Sequence, residues 1–355
     1  MNASNSKASR AKVPVVQPAT QGGRSVNPIT PSHRAIYRRG ATLVILLFLC
    51  LTAIVARPRQ PRQSASSGQG KISVETTLVV LPVRVTGTNG DFVSGLSQEH
   101  FGVYEDGRPQ AITFFEQEDT PVTVGLVVDH SRSMGPKLPA VASAVSAFAQ
   151  SSNPKDEMFV VDFSDNVSVE LPGGKPFTSN PGELAQAVSA VSARGMTALY
   201  DAVAEGLKHL QLGRSDKKAL VIVSDGGDNA SRRKYADVLE LAHRSQAVIY
   251  AIGLVGSHEE ENPGVLRRLC KDTGGLAFFP EEGQSVSDIS ASIARDLREQ
   301  YTIGFVPEKK YDDTFRKIRV DVKAAGRGKL QVRTRSGYLA TPPKESAVSA
   351  GKDPG

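Results

Sequence analysis

The chain has 355 residues, enough for one full-sized hydrophobic core and a smaller companion, and 43 Lys and Arg against 37 Asp and Glu give a formal charge of +6. That surplus would point to nucleic acid if it lay on folded parts, but Lys7, Arg10, Lys12, Arg24, Arg34, Arg38 and Arg39 all precede the first acidic residue. The excess therefore belongs largely to an N-terminal arm, and no nucleic-acid partner is inferred.

Residues 1–40 are basic and rich in Pro, Ser and Asn without a sustained period, the composition of a disordered cytoplasmic arm. The run 41–56, ATLVILLFLCLTAIVA, is flanked by Arg38, Arg39 and Arg57. It is shorter than the roughly 20 residues of a spanning helix and longer than the roughly 7–15 of a signal-peptide core. The basic arm favours an uncleaved transmembrane signal anchor, with the N-terminus in the cytoplasm and the body outside, in the periplasm or at the cell surface. A cleaved signal peptide, which would release the body, is the alternative, because Ala53 and Ala56 are small. Leu49 before Cys50 disfavours a lipoprotein site. Residues 57–71 read as a flexible linker. Cys270 is then the sole thiol of the body, so no internal disulfide is available, and at the end of an amphipathic helix it reads as a small buried side chain.

From residue 72 the pattern turns to period two. Val79, Leu81, Val83 and Val85 share a face, Asn89-Gly90 supplies a turn before 91–93, and 101–104 pairs with 111–115 across Asp106-Gly107. So few strands cannot bury a core alone. At the other end, Tyr301, Ile303 and Phe305 alternate, as do Ile318, Val320 and Val322, and 330–332 adds a short strand. The expectation is one small β-sandwich built from 72–120 and 301–340, with a domain of 121–300 inserted between them and a disordered tail at 341–355. The inserted part alternates strands (122–128, 158–163, 167–171, 219–223, 248–252, 277–279) with helices (about 138–150, 181–192, 198–210, 233–245, 263–271, 286–300), and Gly274-Gly275 closes the fifth helix. This is an α/β pattern, predicting a doubly wound, mainly parallel sheet flanked by helices.

The β-branched run 122–128 ends in Asp129-His130-Ser131-Arg132-Ser133. In a loop leaving the carboxyl end of a buried strand, Asp129, Ser131 and Ser133 can turn three hard oxygens toward one point. That donor type suits Mg²⁺ best, with Mn²⁺ or Ca²⁺ as alternatives, and does not suit zinc. Further donors should come from later strand ends and helix starts, where Thr197 and Asp225 stand. Thr197 is equally placed to cap the helix that follows it, and Asp225 to serve a turn. His130 and Arg132 fill the intervening positions and, with Asp228 as an accessory acid, are candidates for the ligand rim. His130 points away from Ser131, which removes a hydrolase reading, and Asp201 falls outside the donor set.

Together, in order, these pieces resemble the metal-ion-dependent adhesion site of von Willebrand factor type A domains. More narrowly, the chain is similar to the bacterial VWFA-related family, in which β segments flank the A domain; the resemblance covers about 73–338. It implies that Asp129, Ser131, Ser133, Thr197 and Asp225 hold a divalent cation, Asp225 through water. It also implies that one position of the ion takes a carboxylate from a protein partner, and that binding moves the last helix, here 286–300. The implied protein is a membrane-anchored extracytoplasmic adhesion module, not an enzyme. Alternatives are an envelope scaffold with a purely structural metal and a Mg²⁺-dependent phosphohydrolase, though the latter needs a second acid where Ser131 stands. A glycine-rich dinucleotide turn, a Walker loop, His-Glu-x-x-His and Cys-x-x-Cys are all missing from the sequence.

Overall fold

The computed structural model describes residues 78–341, apart from 118, 170, 257–259, 282 and 310. The arm, the hydrophobic run 41–56, the linker 57–71 and nearly all of the tail lie outside the described residues. Among the described residues no helix is long and apolar enough to cross a membrane.

The N-terminal segment forms β1 (Val79–Thr86), β2 (Phe101–Glu105), β3 (Arg108–Gln110) and β4 (Ile112–Glu116). The middle forms β5 (Val122–Asp129), α1 (Leu138–Ser151), β6 (Glu157–Phe163), β7 (Val167–Val169), α2 (Pro181–Ser189), α3 (Leu199–His209), β8 (Lys217–Ser224), α4 (Tyr235–Ser245), β9 (Val248–Gly253), α5 (Pro263–Thr273), β10 (Ala277–Phe278) and α6 (Val286–Arg298). The chain returns through β11 (Tyr301–Phe305), β12 (Phe315–Val322), β13 (Gln331–Arg333) and β14 (Gly337–Leu339).

The middle sheet has the order β10-β9-β8-β5-β6-β7, with every pair parallel except β6–β7. All eight residues of β5 are buried, as expected for a central strand covered on both faces. The apolar stripes of α1 (Val141, Val145, Phe148) and α6 (Ile289, Ile293, Leu297) enter the same core. Helix α2 stops at Ser189, short of the predicted 192, and residues 190–197 run on as the loop that reaches the site.

The flanking strands form two four-stranded antiparallel sheets, β13-β1-β11-β4 and β14-β12-β2-β3, whose inner faces share one cluster that includes Leu81, Val83, Phe101, Val103, Tyr301, Ile303 and Val320. Burial in β1 alternates strictly, matching the period-two reading. Two details differ from expectation. Residues 108–116 break at Ala111, so that β3 pairs with β2 in one sheet and β4 with β11 in the other, and the chain turns a sandwich corner there. Residues 91–93 make only a single bridge, Phe92 to Thr86. The core of this sandwich also holds an ion pair, Arg316 to Glu105 at 2.9 Å, with both side chains almost fully buried.

Candidate functional site

Parallel pairing of β5 with β8 (Val128 opposite Val223) brings Asp129 and Ser224 side by side at the carboxyl edge of the sheet. Ser224 Oγ donates to Asp129 Oδ2 at 2.6 Å, and the Ser131 N–H donates to Oδ1 at 2.9 Å. One Asp129 oxygen thus shapes the loop while the other faces the neighbouring strand end. The His130 N–H to Phe163 carbonyl bond (2.8 Å) and the buried Met134 plug hold the loop against the sheet.

From there a chain of oxygens crosses to the next strand end. Ser131 Oγ lies 3.2 Å from Ser133 Oγ, which donates to Asp225 Oδ2 at 2.8 Å. Asp225 Oδ1 accepts from the Gly227 N–H (3.1 Å). Gly226 makes this turn possible: its φ is +83°, and a Cβ there would stand 2.4 Å from the Asn262 carbonyl oxygen, so any other residue would meet both strain and a clash.

Asp129, Ser131 and Asp225 are all at most 2% exposed. Burial lifts the Asp129 carboxyl to about 6, against the lowering influence of the Ser131 and Ser224 hydrogen bonds, and the neighbouring Asp225 charge adds to the rise. Two buried acids facing each other through hydroxyls form a pocket of negative potential. Lys137 offsets part of it, with Nζ 3.4 Å from Asp225 Oδ2 and 2.9 Å from Glu261 Oε1.

Thr197 is 5% exposed and belongs to the same end of the sheet through Asn229. Its N–H donates to Asn229 Oδ1 (2.8 Å), and its carbonyl accepts from Asn229 N–H (2.9 Å) and Ala230 N–H (3.0 Å), which stitches its loop to the one after Asp225. The capping alternative fails. The cap position of α3 is Ala198, and the first-turn N–H groups of Tyr200 and Asp201 donate to Asp228 Oδ1 (3.1 Å) and Ser231 Oγ (3.1 Å). The Thr197 hydroxyl is therefore not committed to the helix.

Two rim assignments change accordingly. Asp228 is half-buried and bonds Tyr200 N–H and Ser231 Oγ, so it caps α3 instead of lining a rim. His130 is 1% exposed, with Nδ1 against Asp162 and Nε2 3.2 Å from the Val188 carbonyl oxygen, so it is interior packing and not rim. Adjacent residues of an extended turn point apart, and with Ser131 facing the site His130 must face the core. Arg132 is exposed.

The sequence reading missed Ser224, Lys137, Asn229 and Glu261. Ser224 could have been found from its place beside Asp225 at a strand end; the other three carry no local signal.

The donor set is hydroxyl and carboxylate oxygen only, and among the described residues no three or more His, Cys, Asp or Glu converge on a metal position. A hard divalent cation fits these donors and the buried negative charge, whereas zinc or copper does not. Asp129, Ser131, Ser133 and Asp225 are linked by direct hydrogen bonds, and Thr197 is bonded to Asn229 in the loop that follows Asp225.

The family described as von Willebrand factor type A domain matches residues 124–292. No curated protein matches the chain. Similar solved structures include a von Willebrand factor type A protein from Catenulispora acidiphila, at 13% identity, covering 68% of this chain and 74% of its own, with a TM-score of 0.46. An aerotolerance-related membrane protein from Bacteroides fragilis NCTC 9343 is 14% identical over 50% of this chain and 99% of its own, with a TM-score of 0.42. The conserved hypothetical protein BatB from Bacteroides thetaiotaomicron is 14% identical over 50% and 98%, also at 0.42.

Proposed function

Since the chain carries a von Willebrand factor type A domain, a type that often serves binding and adhesion and is usually not catalytic, we propose that it binds a carboxylate of a protein partner through a divalent cation, most simply Mg²⁺. The observation that carries this reading is the hydrogen-bonded path Asp129–Ser131–Ser133–Asp225 joining two strand ends. Asp129 and Asp225 provide the negative charge, and Ser131, Ser133 and Thr197 provide neutral oxygens. Ser224 and the Ser131 N–H hold Asp129 in orientation. When bound, the cation supplies a hard Lewis-acid position that an outside carboxylate oxygen can occupy. Five donors against the octahedral shell that Mg²⁺ takes would leave one position for an outside carboxylate oxygen.

The hydrophobic run 41–56 belongs to the same proposal. As an anchor, or a leader, it delivers the module outside the cytoplasmic membrane, where a surface or envelope partner is met.

The test is calorimetric titration of the full chain with Mg²⁺ and Mn²⁺, followed by binding of a fluorescent peptide bearing Asp, each repeated with Asp129→Ala. One metal site and metal-dependent peptide binding, both lost in the variant, are expected. A peptide bound equally with EDTA, or equally by Asp129→Ala, would overturn the assignment.

A further inference from the structure

The backbone beside the site brings two arginines together. The Arg194 N–H donates to the His130 carbonyl at 2.9 Å and the Arg132 N–H to the Gly195 carbonyl at 3.3 Å, so the loop of Ser131 and Ser133 and the loop leading to Thr197 run as a bonded pair. Both arginine side chains are exposed, and neither has a carboxylate partner among the described residues. Asp165, the acid on this side, accepts from the Met196 N–H at 2.6 Å. Met196, one residue from Thr197, is 53% exposed.

The loop before α5, bonded to Asp225 through the Asn262 N–H at 3.2 Å, carries two acids. Glu260 is exposed and bonded to Asn229 Nδ2 at 2.8 Å, and Glu261 is bound to Lys137. Counting Asp165 with the two guanidiniums and Lys137 with the two glutamates, the charge is net positive beside the Arg132 loop and net negative beside Glu260.

Resting on the carboxylate-binding function above, we propose that the partner is an acidic peptide segment with more than one acid. One carboxylate seats at the metal, and a neighbouring acid is read by Arg132 and Arg194, with an apolar residue against Met196. Guanidinium–carboxylate pairs at a rim add charge-assisted hydrogen bonds and steer association, while Glu260 repels the same segment laid the other way. Arg132 and Arg194 thus set which acidic segments bind and in which direction, and take no part in holding the cation.

Fluorescence anisotropy on the full chain in detergent tests this with two labelled Gly/Ser peptides, one carrying a single Asp and the other an Asp followed by Leu and Glu. In Mg²⁺ the second peptide should bind about tenfold tighter. The Arg132→Gln/Arg194→Gln variant should bring the two within about twofold, lowering affinity for the second peptide by much more than for the first. Both changes are on exposed side chains whose backbone bonds remain, so an unchanged melting curve confirms folding. A preference that survives in the variant, or Mg²⁺-dependent binding of both peptides without preference in the native chain, overturns the arginine assignment alone. If neither peptide binds in Mg²⁺, the carboxylate-binding function falls and the arginine assignment with it.

Discussion

Asp296 on α6 places Oδ1 2.8 Å from Nε of Arg84 on the first strand of the sandwich. The same carboxylate takes the guanidinium of Arg333 from β13 and, at 2.6 Å, the hydroxyl of Tyr250 on β9. One acid, 6% exposed, thereby joins α6, the core of the A domain and both ends of the strands that flank it. Asp296→Asn takes the carboxylate from the partly buried Arg333 guanidinium and leaves Arg84 with Glu299 alone, and should cost about 3 kcal/mol. Urea unfolding measures it, and a midpoint equal to the native one would show that α6 is held by its apolar face alone.

A second expectation separates metal ligation from folding at Thr197. Its hydroxyl does not cap α3, so Thr197→Val should leave metal-free stability within about 0.5 kcal/mol while weakening Mg²⁺ binding about tenfold. Calorimetric titration against the native chain decides it. Native-like affinity in the variant would remove Thr197 from the donor set.

Lys137 offers a test with the opposite sign. Its ammonium, 3.4 Å from Asp225 Oδ2, repels an entering cation while neutralising the acids in its absence. Lys137→Met should tighten Mg²⁺ binding by about three- to tenfold and lower the metal-free melting temperature, so that the stabilisation gained on adding Mg²⁺ grows. An affinity that drops instead would mean that Lys137 helps to build the site.

Acid sensitivity should show at His243, whose ring packs 4.5 Å from that of Phe315 across the junction with the sandwich. Burial lowers its pKa, opposed by Asp272 and reinforced by Arg335. Because the folded value lies below that of the free side chain, the unfolded chain binds more protons once the pH drops below about 6.5, and stability falls from there toward the folded value. His243→Gln should flatten that part of the stability profile between about pH 7.5 and about pH 5.5. Equal slopes in both proteins would mean that other groups carry the acid response.

Much of this protein was legible along the chain because the signals are local. The unbroken aliphatic run of β5, the alternation Val79, Leu81, Val83, Val85 and the glycines after α5 each report a backbone state fixed by near neighbours and by which side chains must leave water. The oxygen-rich turn of Asp129, Ser131 and Ser133 is likewise set within a few residues. Where local signals compete, the reading blurs: Thr197 looks like a cap, and only the arrival of Asp228 and Ser231 at the start of α3 shows that the cap comes from another loop.

The amino-acid sequence by itself determined the α/β pattern of the middle segment, its parallel sheet and the period-two strands on either side. Tertiary structure alone decided that Ser133 reaches Asp225 and that Ser224 holds Asp129, because both depend on β5 lying beside β8 in one register. It alone set His130 against Asp162 and the Val188 carbonyl, put Lys137 between Asp225 and Glu261, and tied Arg84 to Asp296 across more than half the chain. The reason is physical: periodicity records which faces are buried, whereas the identity of a buried group's partner is set by strand pairing and packing between segments far apart in sequence.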